Sequence, residues 1–275
     1  MSISDNYDKL NGDISTVRAI PSSLAGLLAD LELDQPSIVS LEDIERLASA
    51  RHILTPPREI ARRLRGQGWL LPLRTRGFYE FAPGSRAGRF RSGDSFTELR
   101  ATLRRKNFPI ALAHESAAWV RGLSQHQPDQ PIIAVSKGTD VPQALAEYRI
   151  VRQTAKLPHD QISDLPVWPL ESLLVLMAAR PTLYRDWANV NEWLPRAVRK
   201  ARLPELLIEL ESMSAATWVR LAYLFDRSGN SAIAGHLMHQ KPNASGPVYF
   251  GPDRRHGIRD ANFNVIDSLL CRADW

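Results

Sequence analysis

The chain has 275 residues, of which 44% are hydrophobic, a formal net charge of +5 and a single cysteine, Cys271. This length exceeds that of one small module and predicts two domains with buried cores. A lone cysteine excludes an internal disulfide and a CxxC metal site. Residues 1–12 lack the pattern of a secretory signal, and the longest apolar stretch, residues 173–179, is too short to cross a bilayer. We therefore expect a cytoplasmic protein with no membrane partner.

Positive charge is concentrated in one segment of the chain. Residues 51–106 contain fourteen Lys and Arg, thirteen of them arginine, against four acidic residues. Residues 1–50 contain three basic and nine acidic residues. Because the planar guanidinium group suits phosphates and guanine edges, an arginine-rich segment favours a nucleic-acid partner. A solvated charged surface is the alternative interpretation.

Two short helices are predicted before this arginine-rich segment. The first covers residues 21–31, where leucines recur at helical spacing. A second is predicted from Ser40 to about Ala50, because Ser40 can accept from the first backbone N–H groups and Asp43 stands three residues later. Pro36 separates the two helices.

A third helix is predicted from Thr55-Pro56-Pro57 to Gly66. Proline is pre-set for the first helical turn, and glycine ends the apolar periodicity. The predicted core-facing residues are Ile60, Ala61 and Leu64. The charged residues left on the outer surface are Arg58, Glu59, Arg62, Arg63 and Arg65. This is the place of a recognition helix.

A basic hairpin is predicted next. Residues 69–73 and 78–81 have the character of short strands, joined by Arg74-Thr75-Arg76-Gly77, whose glycine can adopt a positive φ. Three helices followed by such a hairpin is the order of a winged helix-turn-helix. The DNA contacts predicted from this arrangement are Thr55, Arg58, Arg62, Arg63, Arg65, Arg74, Thr75 and Arg76.

The rest of the chain predicts a larger domain of mixed composition. Residues 83–95 are rich in Gly, Ser and Arg, as in a flexible connector. Later segments predict helices over residues 96–106, 114–123, 170–179, 183–194, 204–213 and 215–227, strands over 109–113, 131–136, 148–154 and 247–250, and a polar loop over 253–260. The predicted class is α+β, with a winged helix-turn-helix over 1–84, a basic linker over 85–95, and a mixed α/β to helical C-terminal domain over 96–275.

Catalytic motifs are missing from the sequence. It contains no GxSxG, GxxxxGK[ST], GxGxxG or HExxH pattern, and no Glu-x-Lys pair of the kind that metal-dependent nucleases use. His236 and His239 lie three residues apart on a predicted helix, but no third metal ligand stands near them. The sequence therefore predicts no enzyme, no metal site and no cofactor.

Several short motifs resemble those of the AbiEi-type antitoxins, the transcriptional-repressor halves of bacterial abortive-infection toxin–antitoxin pairs. These motifs are Gly68-Trp69-Leu70, the wing Arg76-Gly77-Phe78-Tyr79, Glu115-Ser116-Ala117-Ala118 leading to Gly122-Leu123, and Trp218 to Phe225 followed by Gly229. The resemblance implies a protein that binds inverted repeats in the promoter of its own operon. It also implies that the C-terminal domain counters a cognate nucleotidyltransferase-like toxin.

Two other functions stay open on the sequence. One is a winged-helix transcription regulator whose C-terminal domain senses a small ligand, and the other is an enzyme that docks on nucleic acid through the basic segment. The identity of the neighbouring gene separates the first from an antitoxin. The sequence does not decide between a dimer and two monomers on an inverted repeat.

Overall fold

The computed structural model describes residues 22–85, 92–241 and 246–270. These residues form two compact units. Unit one comprises the described residues up to Asn107 together with Pro142–Leu145. Unit two comprises Phe108–Val141 and the described residues from Ala146 onward. Most of the predicted basic linker, residues 86–91, and Cys271 lie outside the described residues.

The described residues of unit one form four helices, two short 3-10 turns and a three-stranded sheet. Its elements are the 3-10 turn Ser22–Leu24, α1 (Ala25–Asp34), β1 (Ile38–Ser40), α2 (Leu41–Ala50), α3 (Pro57–Gly66), β2 (Leu70–Pro72), β3 (Phe78–Phe81), α4 (Thr97–Arg105) and the 3-10 turn Gln143–Leu145. The predicted helices and both hairpin strands are present. The strand β1 was not predicted, because three residues between two helices give no periodic signal.

Interactions between residues close in sequence explain where α2 and α3 begin. The Ser40 hydroxyl accepts the backbone N–H of Asp43 at 3.0 Å, and the Asp43 carboxylate accepts the N–H of Ser40 at 2.9 Å. This reciprocal capping box satisfies two donors that would otherwise be unpaired at the start of α2. Pro57 occupies the first position of α3, where its missing N–H removes no helical hydrogen bond.

The sheet of unit one is covered on both faces. Its strand order is β1-β3-β2 with antiparallel pairing throughout. Val39 and Phe81 belong to the core formed with α1, α2 and α3. Adjacent strand residues point to opposite faces, and Ile38 packs instead with Leu73 and the fully buried Ala101 of α4. The helix α4 therefore completes unit one, although its sequence was assigned to the C-terminal domain; the predicted domain boundaries stay a prediction.

Unit two contains two sheets and six helices among the described residues. Its elements are β4 (Ile110–Leu112), α5 (His114–Val120), β5 (Ile132–Val135), β6 (Arg149–Val151), β7 (Asp160–Ile162), β8 (Leu165–Val167), α6 (Leu170–Ala179), the 3-10 turn Pro181–Leu183, α7 (Trp187–Lys200), α8 (Leu203–Leu210), α9 (Ala215–Arg227), α10 (Ser231–Gln240), β9 (Val248–Phe250), β10 (Ile258–Asp260) and β11 (Val265–Asp267). The strand orders are β6-β5-β4-β8-β7 and β10-β11-β9. The predicted mixture of helices and strands is confirmed.

Three segments of unit two differ from the prediction. The helix expected over residues 183–194 is α7, which starts four residues later because the Asp186 carboxylate accepts the N–H of Asn189 at 3.0 Å and caps it there. The predicted polar loop over 253–260 ends in β10, which pairs with β11. The strands β7 and β8 form a hairpin of three-residue strands that carry too little apolar alternation to be predicted.

None of the described helices is both long and apolar enough to cross a membrane.

Candidate nucleic-acid interface

The helix α3 holds a set of arginines at the surface of unit one. Ile60, Ala61 and Leu64 are buried in the core, as predicted. The four arginines of α3 are all exposed: Arg58, Arg62, Arg63 and Arg65. Positions i, i+4 and i+7 of a helix share one face, so Arg58, Arg62 and Arg65 form a single stripe.

Glu59 engages two of these arginines. Its carboxylate accepts two hydrogen bonds from Arg62, both at 2.7 Å, and one from Arg63 at 2.9 Å. The hydrogen bonds from Arg62, followed by those from Arg63, lower the pKa of Glu59 to about 2. The Arg62 side chain is 74% exposed in this pair, so solvent screens the attraction and the arginine can exchange Glu59 for another anion at little cost.

Three other arginines carry positive charge that no carboxylate among the described residues offsets. The side chains of Arg58, Arg65 and Arg76 form no hydrogen bond or ion pair with any residue in the described ranges, and all three are exposed. Two of them lie on α3 and the third lies in the β2–β3 hairpin. Unpaired guanidinium groups on one compact unit produce a positive surface potential, which attracts a polyanion.

The hairpin between β2 and β3 is held in place by α4. The Glu98 carboxylate accepts the backbone N–H groups of Arg74 at 3.0 Å and Thr75 at 2.6 Å, and the Thr75 hydroxyl at 2.7 Å. The Thr75 hydroxyl also lies 3.0 Å from that of Thr102. Gly77 completes the turn with a φ of +85°, which side chains disfavour. The hairpin tip is therefore a fixed loop.

The structure separates the predicted contact residues into three groups. Six arginines are exposed on α3 or the hairpin: Arg58, Arg62, Arg63, Arg65, Arg74 and Arg76. Thr55 is partly exposed just before α3. Thr75 is only 3% exposed and its hydroxyl is bound within unit one, so its side chain is not available at the surface.

The roles of two acidic residues at this surface were not predicted from the sequence. Glu59 lies three and four residues before Arg62 and Arg63, and this spacing on a helix does indicate ion pairs. Glu98 stands 23 residues after Thr75, so no local pattern could have linked it to the hairpin.

The described residues contain no group of three or more His, Cys, Asp and Glu that could hold a metal ion. His236 contacts Gln240 across one helical turn at 2.9 Å, and His256 lies 3.1 Å from the Asp253 carboxylate. Both histidines thus have an ordinary local partner.

The match to a family model concerns the region after α4. Residues 110–227 match the family model of the AbiEi antitoxin C-terminal domain. The match confirms the resemblance to the AbiEi-type antitoxins. The matched AbiEi region begins at the start of β4 and ends with α9. It supports an antitoxin role in a toxin–antitoxin pair, and therefore a toxin partner of some kind.

A solved structure resembles almost the whole chain. The crystal structure of the RV2827C protein from Mycobacterium tuberculosis superposes with a TM-score of 0.78 at 26% sequence identity, covering 93% of this chain and 94% of that chain. The similarity supports the mixed α/β architecture across both units. No curated protein matches the chain.

Proposed function

We propose that the chain is a cytoplasmic DNA-binding repressor and antitoxin, without enzymatic activity, that regulates its own toxin–antitoxin operon. In this proposal it binds inverted repeats in the promoter and counters a nucleotidyltransferase-like toxin. The observation that carries DNA binding is the exposed arginine stripe of α3, in which Arg58 and Arg65 have no partner among the described residues.

The order of elements in unit one supports a winged helix. Two helices, α2 and α3, follow β1 directly, and the β2–β3 hairpin pairs with β1 in one antiparallel sheet. In this assignment α3 is the recognition helix that enters the major groove, and the hairpin is the wing. Residues 1–84 would then be the DNA-binding domain, residues 85–95 the linker and residues 96–275 the partner-binding domain. The helix α4 would stabilise the DNA-binding domain by packing against it.

The arginines are assigned different tasks in the proposed complex. Arg58 and Arg65 contact DNA directly from α3, and Arg74 and Arg76 contact it from the wing. Arg62 and Arg63 exchange Glu59 for a phosphate or a guanine edge, which a planar guanidinium can bind through two hydrogen bonds. Thr55 is kept as a contact at the start of α3. Thr75 does not contact DNA in the proposed complex, because its hydroxyl donates to Glu98.

The test of DNA binding is a gel-shift titration of the full chain on its own upstream DNA and on a scrambled duplex, at several salt concentrations. Replacing Arg58, Arg65 and Arg76 together with alanine removes three unpaired charges. We expect at least about a hundredfold loss of affinity, and a salt dependence shallower by about 0.9 for each phosphate contact removed.

A matched control removes the same net charge from unit two. The exposed arginines Arg180, Arg199 and Arg255 are replaced together with alanine. The control should bind the operator as the parent protein does. Equal loss in both triple variants, or equal weak binding of the parent to both duplexes, would show that the arginines are only a solvated surface.

The antitoxin half of the proposal has its own test. The chain is co-expressed with the product of the adjacent gene, and growth and co-purification are measured. Rescue of growth by a chain with the three alanines on α3 and the wing would show that neutralisation does not need repression. An adjacent metabolic gene without toxicity would instead favour a ligand-sensing regulator, for which unit two offers a cavity of about 380 Å³ that charged residues line.

A further inference from the structure

Unit two contains a cavity lined mainly by polar and charged residues. Its volume is about 380 Å³, which lies in the range of pockets that hold small molecules. Its charged lining includes Glu115 near the start of α5, Arg149 at the start of β6, and Arg185 with Asp186 just before α7. The remaining wall is the segment from His126 to Gln130 together with Ile132 and Asn189.

Opposite charges share this cavity without pairing with one another. Neither Arg149 nor Arg185 forms an ion pair with Glu115. The guanidinium group of Arg185 has no hydrogen-bond partner among the described residues, and that of Arg149 donates from one nitrogen to the carbonyl of Leu183 at 2.6 Å. Charged groups that line one small cavity without pairing can bind a ligand that carries both a positive and a negative charge.

Glu115 is the clearest sign that the cavity binds a polar group. Its Oε1 accepts the backbone N–H of Arg185 at 3.2 Å, whereas its Oε2 is buried and has no partner in the part of the chain that the structure describes. A buried polar atom without a partner destabilises the folded chain, and a ligand that pairs with it removes this penalty. Burial also raises the pKa of Glu115, although its own backbone N–H, that of Arg185 and the two arginine charges oppose this.

We propose that the cavity binds a small zwitterion that carries an ammonium group beside a carboxylate, as an α-amino acid does. The ammonium group donates to Oε2 of Glu115. The carboxylate accepts from Arg185 and from the free N–H groups of Arg149. A ligand with only a positive charge would leave the two arginines unpaired. A ligand with only a negative charge would leave Glu115 unpaired.

Binding is measured on the full chain without DNA, so failure of this proposal is distinct from failure of the repressor function. The probes are the standard L-α-amino acids, screened by ligand-observed NMR and followed by calorimetry. We expect at least one to bind with a Kd in the millimolar range or tighter. The matching primary amine without a carboxylate should bind at least about tenfold more weakly. Absence of binding by every amino acid, or equal binding of the amine, would overturn the proposal.

Two variants test the assigned roles of the side chains. Glu115→Gln keeps the acceptor for the Arg185 N–H but removes the negative charge, and Arg185→Gln removes the unpaired guanidinium. Each should weaken binding at least about tenfold while the unfolding temperature stays near that of the parent. The controls Glu192→Gln and Arg199→Gln change exposed residues of α7 that do not line the cavity. Unchanged affinity in Glu115→Gln, or an equal loss in the controls, would overturn the assignment.

Discussion

Glu59 sets how much positive charge α3 presents at the proposed DNA interface. Its carboxylate holds Arg62 and Arg63 through three hydrogen bonds, and these bonds keep it ionised down to a pKa of about 2. The sequence showed the arginines but not that one acid would restrain two of them. The surface therefore has two kinds of arginine. Arg58 and Arg65 are unpaired within the described ranges, whereas Arg62 and Arg63 must break their hydrogen bonds to Glu59 before they can bind another anion.

Replacing Glu59 with glutamine should strengthen DNA binding. The change releases Arg62 and Arg63 and adds one positive charge to the proposed interface. We expect severalfold tighter binding to the operator and the scrambled duplex alike, with a salt dependence steeper by up to about 1 in log–log slope. Glu45→Gln makes the same charge change at an exposed residue of α2 that has no ion pair within the described ranges. Equal effects of the two substitutions would argue against a special role of α3.

His114 gives the stability of unit two a dependence on pH. The imidazole is fully buried, and its Nε2 lies 2.9 Å from Oε1 of Gln153. Burial lowers its pKa to about 4; the contact with Gln153 opposes the shift, and the charges of Arg149 and Arg180 add to it. An unfolded histidine titrates near 6.5. Between these two values the unfolded chain binds more protons, so the free energy of unfolding falls as pH drops through this window.

Denaturant unfolding should reveal this dependence. We expect His114 to contribute about 2 kcal/mol to the loss of stability between about pH 7.5 and pH 5. His114→Asn should be less stable at neutral pH, because ring packing against Trp168 and Tyr184 is lost, but its stability should change less with pH. Asparagine tolerates the φ of +50° at this position. The exposed His239→Asn is the control, and a parent-like pH dependence in His114→Asn would refute the assignment.

At the scale of elements, the hairpin and α4 act together. Glu98 accepts three hydrogen bonds from Arg74 and Thr75, and α4 packs Ala101 against Ile38 and Leu73 on the outer face of the sheet. A short hairpin alone is marginally stable in water. Its conformation in this chain thus depends on a helix that follows it by more than fifteen residues.

Replacing Glu98 with alanine should loosen the β2–β3 hairpin without unfolding unit one. Two backbone N–H groups and one hydroxyl lose their acceptor, which costs about 1–3 kcal/mol locally. Hydrogen exchange at the amides of Arg74 and Thr75 should become faster, and operator binding should weaken about five- to tenfold. Glu45→Ala serves as the control. Unchanged exchange at both amides would show that the hairpin is held by other contacts.

On the scale of the whole molecule, unit one ends beyond the predicted boundary of the DNA reader. The helix α4 belongs to it, and so does the segment Pro142–Leu145, whose Leu145 is fully buried. The composition of residues 83–95 indicated a linker, and that prediction placed α4 in the other domain. Burial of Ala101 against the sheet is a contact between distant residues that composition does not reveal.

Two fragments should therefore differ in stability. Residues 1–107 contain α4, whereas residues 1–95 leave Ile38 and Leu73 without their cover. We expect cooperative urea unfolding of the longer fragment and a broad transition, or none, for the shorter one. Both lack residues 142–145, so that segment does not distinguish them. Equal cooperativity of the two fragments would place the end of the folding unit at the hairpin.

The sequence by itself determined the features that depend on neighbours along the chain. These include the cap of α2 at Ser40, the start of α3 at Pro57, the exposed arginines around Ile60 and Leu64, and the motifs that indicated an AbiEi-type antitoxin. Only the tertiary structure decided that Glu98 fixes the hairpin, that Thr75 is buried, and that charged residues of α5, of β6 and of the segment just before α7 line one cavity. These contacts join residues tens of positions apart, and their energies come from burial and hydrogen bonding that exist only after the chain has folded.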